Sequence, residues 1–236
     1  MTACPSAEVS TAPALVVRHL GWSGLLLEIG GAALAVDAPD PVERPLVLTW
    51  TERERVAGAR ASTGPVAAAS EVLAWLGLSG TPLGDAPVTL GGFTVAARPY
   101  RPIPYATAPE ALRKTRSALR APTRAAARLG FTLRRPASRP LALRVDRDGV
   151  RVVLLGQALH RFHTAAELAA LAAWAGPADL VIAGTDYDDE VATGDQLRAF
   201  DARVRVVADL TGEIRRALRL PVRPLSVATA AAPRGT

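Results

Sequence analysis

Cysteine, lysine, histidine and aromatic residues are all scarce in this chain of 236 residues. Cys4 is the single cysteine, so no disulfide can close within the chain, and a cytoplasmic setting is the default expectation. Lys114 is the only lysine, so the positive charge is carried by arginine. No apolar run approaches the roughly 20 residues needed to cross a bilayer, which argues against a membrane partner. The opening MTACPSAEVSTAPA has neither the basic start nor the continuous apolar stretch of a secretory signal. There is no phosphate-binding loop and no dinucleotide fingerprint. Ser23, in Gly-Trp-Ser-Gly, fails the spacing of a nucleophile elbow.

Apolar residues make up 49% of the chain, enough for a sizeable core. The net charge of +6 is unevenly spread. Between Arg98 and Arg139 there are eleven basic residues and one acid, Glu110, which leaves the remainder net acidic. Such an arm is either a set of solvated faces or a surface for an anionic small molecule or acidic protein partner. Arg113, Arg116, Arg120 and Arg124 are its candidate contact residues. Nucleic acid is a weaker candidate partner, because Tyr100, Tyr105 and Phe131 are the arm's only aromatics and single-strand binders stack bases on such rings.

Residues 1–13 are expected to be disordered, 14–221 to form one domain with the basic helical arm at 98–139, and 222–236 to be a loose tail. Strand signals come early: ALVVRHL (14–20), LLLEI (25–29), AALAVD (32–37) and PLVLT (45–49). Gly30-Gly31 reads as a hairpin turn. Thr49-x-x-Glu52 and Thr51-x-x-Glu54 both fit a capping box, so a helix is expected from about 52. PVAAASEVLAWLG (65–77) has helical spacing and ends at a glycine. VTLGGFTVAAR (88–98) is a hairpin or a bent strand. Thr107-Ala-Pro-Glu110 opens a helix in the arm. LALRVDRDGVRVVLLG (141–156) is a strand pair around Asp148-Gly149. Thr164-x-x-Glu167 caps a helix that Gly176-Pro177 ends. DLVIAG (179–184) and VRVVAD (204–209) are strands, Thr193-x-x-Gln196 caps a helix between them, and GEIRRALRL (212–220) is a last helix. Two groups of strands, each followed by helices, suit a four-layer αββα sandwich. A single doubly wound sheet is the alternative, although the early hairpins oppose it.

These words in this order resemble the metallo-β-lactamase-fold superfamily, in the branch of L-ascorbate-6-phosphate lactonase-like hydrolases, from about Val16 to Pro221. HLGWSGLLLEIGGAALAVDAPD matches the family's opening strand, Gly-His turn, strand pair and Asp-Pro-like turn. VLTWTERERVAGA matches a strand ending in Thr-His-x-His-x-Asp-His and its following helix. DGVRVVLLGQAL and ADLVIAG match the later hairpin and strand. The resemblance implies a zinc site, but at its positions this chain carries Trp50, Glu52, Glu54 and Arg55 in the motif loop. Trp22 replaces the histidine of the early turn, Gln157 the bridging aspartate, and Asp209 or a neighbour the last histidine. An indole nitrogen has no lone pair to donate, and a guanidinium repels a cation. The motif therefore reads as degenerate, with no cofactor expected and Trp22 and Trp50 filling the vacated space. Arg55 is expected to bridge Glu52, Glu54 and Asp37 where the metals would stand.

Two functions remain open: a non-catalytic protein that binds a partner or an anionic ligand, and a zinc hydrolase on a remodelled site. The second would draw on Glu52, Glu54, His160, His163, Asp186 or Asp209. His160 and His163, three apart, could share a face, but no third ligand is evident; loop packing or helix N-terminal contacts are the plainer reading. The acids Asp186, Asp188, Asp189 and Glu190 read first as a solvated loop before a helix. His19 reads as a strand histidine, and Asp37 as a turn former.

Overall fold

The computed structural model describes residues 14–21, 24–51, 53–101, 131, 134–159, 163–184, 190–208 and 227–229; the side chains of 53–55, 190–192 and 227–229 lie outside the description. In chain order the elements are β1 (Leu15–Gly21), β2 (Gly24–Ile29), β3 (Ala32–Val36), β4 (Leu46–Val47), α1 (Arg53–Ala59), β5 (Val66–Ala68), α2 (Ser70–Leu76), β6 (Thr81–Pro82), β7 (Val88–Leu90) and β8 (Phe93–Pro99). Then follow β9 (Leu141–Arg147), β10 (Val150–Gly156), α3 (Ala165–Ala175), β11 (Ala178–Gly184), α4 (Glu190–Leu197), β12 (Ala202–Ala208) and β13 (Val227–Thr229).

The strands form two sheets, in the orders β13-β1-β2-β3-β4-β5-β6 and β12-β11-β10-β9-β8-β7. This is the expected sandwich and not a single doubly wound sheet. Three hairpins are turned by residue pairs with positive φ: Gly30-Gly31, Gly91-Gly92 and Asp148-Gly149. Paired left-handed residues match the right-handed twist of the flanking strands, which is why these turns were legible.

One continuous apolar cluster fills the space between the sheets. Val17, Leu27, Ile29 and Leu34 of the first sheet meet Phe93, Val95, Leu143 and Val145 of the second there, all fully buried. A second cluster lies on the outer face of the second sheet. There Val153, Leu155, Val181 and Ala183 are covered by Leu171 and Ala175 of α3 and by Leu197 and Phe200 near the end of α4. On the other flank α2 lies against β5 and β6. No helix among the described residues is long and apolar enough to cross a membrane.

Three local expectations need correction. The helix expected over 65–77 begins only at Ser70, because Val66–Ala68 is a parallel strand; Pro65 and Ala67 carbonyls accept the N–H groups of Leu46 and Leu48. Three buried residues cannot be separated from a buried helix turn by periodicity. Strand β4 stops at Val47, so the loop after it is longer than expected. Thr193 lies inside α4 and does not cap it; it is fully buried, and its hydroxyl donates to the Leu159 carbonyl at 3.4 Å. Within the stretch expected to be a loose tail, Val227–Thr229 pairs antiparallel with β1, a strand too short to leave a pattern in sequence. The helices expected near 108–129 and 212–220 lie outside the described residues.

Candidate functional site

In the first sheet β3, β4, β5 and β6 run parallel, and in the second β10, β11 and β12 do. Strand β8 runs the same way as β10, since both are antiparallel to β9. The carboxyl ends of these strands meet along one edge of the sandwich. The junction is direct: the Leu141 N–H at the start of β9 donates to the Thr49 carbonyl just past β4, at 2.9 Å. In α/β sheets such an edge is where loops can converge on a ligand.

Asp37 stands at the end of β3 with φ of 49°, a left-handed conformation that aspartate tolerates. Its N–H continues the ladder to the Val47 carbonyl. Its buried carboxylate takes two hydrogens from Thr49, the backbone N–H at 2.8 Å and the hydroxyl on the other oxygen. Thr49 thus turns its hydroxyl toward β3. Beside the turn role expected of it, Asp37 tethers Thr49 at the start of the loop.

Trp50 follows, and only 7% of it is exposed. Residues 134–140 pass across it as a strap. The indole Nε1–H donates to the Ser138 carbonyl at 3.3 Å, and the Arg135 guanidinium lies 5.1 Å from the ring centroid. Fully buried Thr51 meets the Ser138 hydroxyl at 3.3 Å. The strap is anchored on its near side by the Arg135 N–H to the Phe131 carbonyl, and Phe131 stands edge-on to Trp75 at 5.4 Å.

On the second sheet, Tyr100 leaves β8 and turns its phenol under the end of β10, where its oxygen accepts the Gln157 N–H at 3.1 Å. Gly156 makes room for it: a Cβ there would lie 2.9 Å from the phenol oxygen, and its φ is 53°. Beyond this turn, Thr164 and Glu167 form the expected capping box of α3. The Glu167 carboxyl is held below the usual carboxylate range, first by the Thr164 N–H, then by the Thr164 hydroxyl, with Arg101 and His163 adding to it against the opposing cost of burial. His163 has a buried side chain with Nδ1 4.0 Å from Glu167 Oε2, a helix N-terminal contact.

Of the residues singled out in sequence, Trp50, Gln157, His163, Asp37 and His19 fall within the description. Trp50 and Gln157 lie on the same edge. His19 is in β1, as expected. Trp22, Glu52, Asp209, His160, Asp186, Arg113, Arg116, Arg120 and Arg124 lie outside the described residues. Glu54 and Arg55 fall in α1, with side chains outside the description. Arg135 and Ser138 went unnoticed, since Ala-Ser-Arg-Pro in an arginine-rich arm carries no local signal; their partner Trp50 is more than 80 residues away.

The donor set described at this edge does not fit zinc. Trp50 offers a hydrogen and no lone pair, Gln157 is a neutral amide, and the Asp37 carboxylate accepts two hydrogens from Thr49. Among the described residues, no group of three or more histidine, cysteine or acidic side chains is placed to hold a metal ion.

No family model matches the chain, and no curated protein does. Solved structures do. The chain is similar to the metallo-β-lactamase fold protein YhfI from Bacillus subtilis, with a TM-score of 0.53 and 13% identity, covering 82% of this chain and 85% of that one. It is similar to a putative metal-dependent hydrolase from Parabacteroides distasonis, with a TM-score of 0.55 and 15% identity over 89% and 91% of the two chains. It is also similar to a metallo hydrolase from Ignicoccus hospitalis, at 0.55 and 14% over 92% and 99%. The architecture is that of the metallo-β-lactamase fold, two facing sheets with helices outside. Of these three neighbours, two are hydrolases by name and one is named for that fold.

Proposed function

We propose that this chain is a pseudoenzyme on the metallo-β-lactamase fold, one that binds an anionic small molecule or an acidic protein partner and does not hydrolyse it. The observation that carries this reading is Trp50. At the first position of the motif loop it is buried, it donates its only polar hydrogen to Ser138, and it lies beneath the Arg135 guanidinium. A residue packed in this way serves the fold as a wall, and a fixed guanidinium beside it opposes a dication and favours an anion. The reading includes the degenerate motif and the lactonase-like branch, which the order of sequence words around Trp22, Trp50 and Gln157 supports. It assigns partner contact to the basic arm between Arg98 and Arg139.

A second reading is kept because the fold's neighbours include metal-dependent hydrolases by name. In it a remodelled zinc site would draw on Glu52, Glu54, His160, His163, Asp186 or Asp209. Thermal unfolding across a zinc titration separates the two. A metal held only by the folded state raises the midpoint as its concentration passes the dissociation constant. The pseudoenzyme reading expects no saturable rise; a rise that saturates at stoichiometric zinc would favour the hydrolase.

A further inference from the structure

Seven arginines of the described residues meet an acid. On the second sheet Arg144 and Arg151 meet Asp146, at 3.4 and 2.5 Å, Arg147 meets Asp148 at 3.2 Å, and Arg203 meets Asp179 at 3.5 Å. Elsewhere Arg18 meets Glu28, Arg101 meets Glu167, and Arg198 meets Asp195. Arg98 and Arg205 turn instead to the Ala170 and Phe200 carbonyls, and Arg60 lies over the Trp75 ring. The strap carries three arginines close together, Arg134, Arg135 and Arg139, and no acid. Among the described residues, none of these three guanidinium groups meets a carboxylate.

Arg135 stands apart within the strap. Arg134 and Arg139 are exposed, whereas Arg135 is half-buried. Its guanidinium rests on the Trp50 indole, whose own orientation is fixed by the bond to Ser138. Its backbone is fixed by the bond to Phe131. A guanidinium that lies over a ring keeps N–H groups to offer to a further partner. A planar cation that is already oriented and partly desolvated loses little freedom when it binds, and its fork fits the two oxygens of a carboxylate or phosphate. Exposed Arg134 and Arg139 add attraction for an anion at longer range.

We infer that Arg135, lying over Trp50, is the anchor for the oxyanion group of a small-molecule ligand, a carboxylate or a phosphate, at the edge of the sandwich where β4 ends. The inference rests on the anion-binding reading above and narrows it to one side chain. Trp50 then has a positive role at its motif position, as the platform that orients the clamp.

Isothermal titration of the full chain at fixed ionic strength tests this, with pyrophosphate and citrate as probes for the two oxyanion sources. Saturable binding of at least one is expected, and the preferred probe identifies the source. Arg135→Ala should weaken that binding about 10-fold or more. Arg135→Lys, which keeps the charge but not the planar fork, should weaken it at least several-fold. Arg198→Ala, at an exposed arginine paired with Asp195, should leave it unchanged. Undiminished affinity in Arg135→Ala or Arg135→Lys would overturn the clamp. If binding also disappears when Arg113, Arg116, Arg120 and Arg124 are neutralised, the broader reading survives that loss. No saturable binding of either probe would overturn both.

Discussion

The carboxylate of Asp37 holds Thr49 by two hydrogens, from its N–H and from its hydroxyl, across the first turn beyond β3 and β4. Both residues are buried. This pair fixes where the motif loop leaves the sheet and so fixes Trp50. Hydrogen bonds to a buried carboxylate are among the stronger ones, and replacing the Thr49 hydroxyl removes one of the two that Thr49 makes. Thr49→Val should therefore cost about 1.5–3 kcal/mol. Asp37→Asn, which tolerates the same left-handed backbone, should cost a comparable amount. The double variant should cost less than the two added together, because both remove one interaction. Urea unfolding of the four proteins measures this; simple additivity would mean that the contact contributes little.

Trp50 should matter more to stability than its place in a motif loop suggests. Truncation of a buried indole opens a cavity, and Trp50→Ala should cost about 3–5 kcal/mol. Trp50→Phe keeps most of the volume and loses the bond to Ser138, so about 1 kcal/mol is expected. Denaturant midpoints with an unchanged slope would support both figures. A Trp50→Ala cost below about 1 kcal/mol would show that the indole is not part of the core.

Much of the fold was legible because its signals are local. Gly30-Gly31, Gly91-Gly92 and Asp148-Gly149 announce hairpins within two residues, and Thr164 and Glu167 announce a helix start within four. What was not legible is either very short or far apart in the chain. Strand β5 has three residues, all buried, with no alternation to read. The cover on Trp50 comes from Ser138, 88 residues away, and nothing near either residue hints at the other. The loop of the candidate site could be found from its resemblance to a metal-binding loop. Its tether could not, because an aspartate ending a strand reads equally well as a simple turn.

The capping box of α3 gives a pH dependence. Thr164 holds the Glu167 carboxyl below its ordinary range, so the folded state favours the ionised form. For a depressed carboxyl, the stabilisation is fully present above the unfolded pKa and is lost as pH falls through the lower, folded value. The difference in melting temperature between wild type and Thr164→Ala should be largest near neutral pH and should shrink in acid. A difference that stays constant down to about pH 3 would mean the ionised carboxylate is not what the cap uses.

Neutralising Arg113, Arg116, Arg120 and Arg124 together should abolish binding of an acidic partner or anionic ligand while the far-ultraviolet circular dichroism and melting temperature stay close to wild type. Surface charges away from packed features change stability by within about 0.5 kcal/mol each. Retained binding would reduce this part of the arm to a solvated face.

The proposal that the zinc motif is degenerate, with Trp50 as a wall and no hydrolytic metal centre, meets its most direct test in elemental analysis of protein purified without chelators. We expect well under a tenth of an equivalent of zinc per chain, and no gain on dialysis against zinc. A content of about one or two zinc ions per chain would mean that side chains beyond Trp50, Gln157 and Asp37 have rebuilt a metal centre, and the pseudoenzyme reading would have to be abandoned.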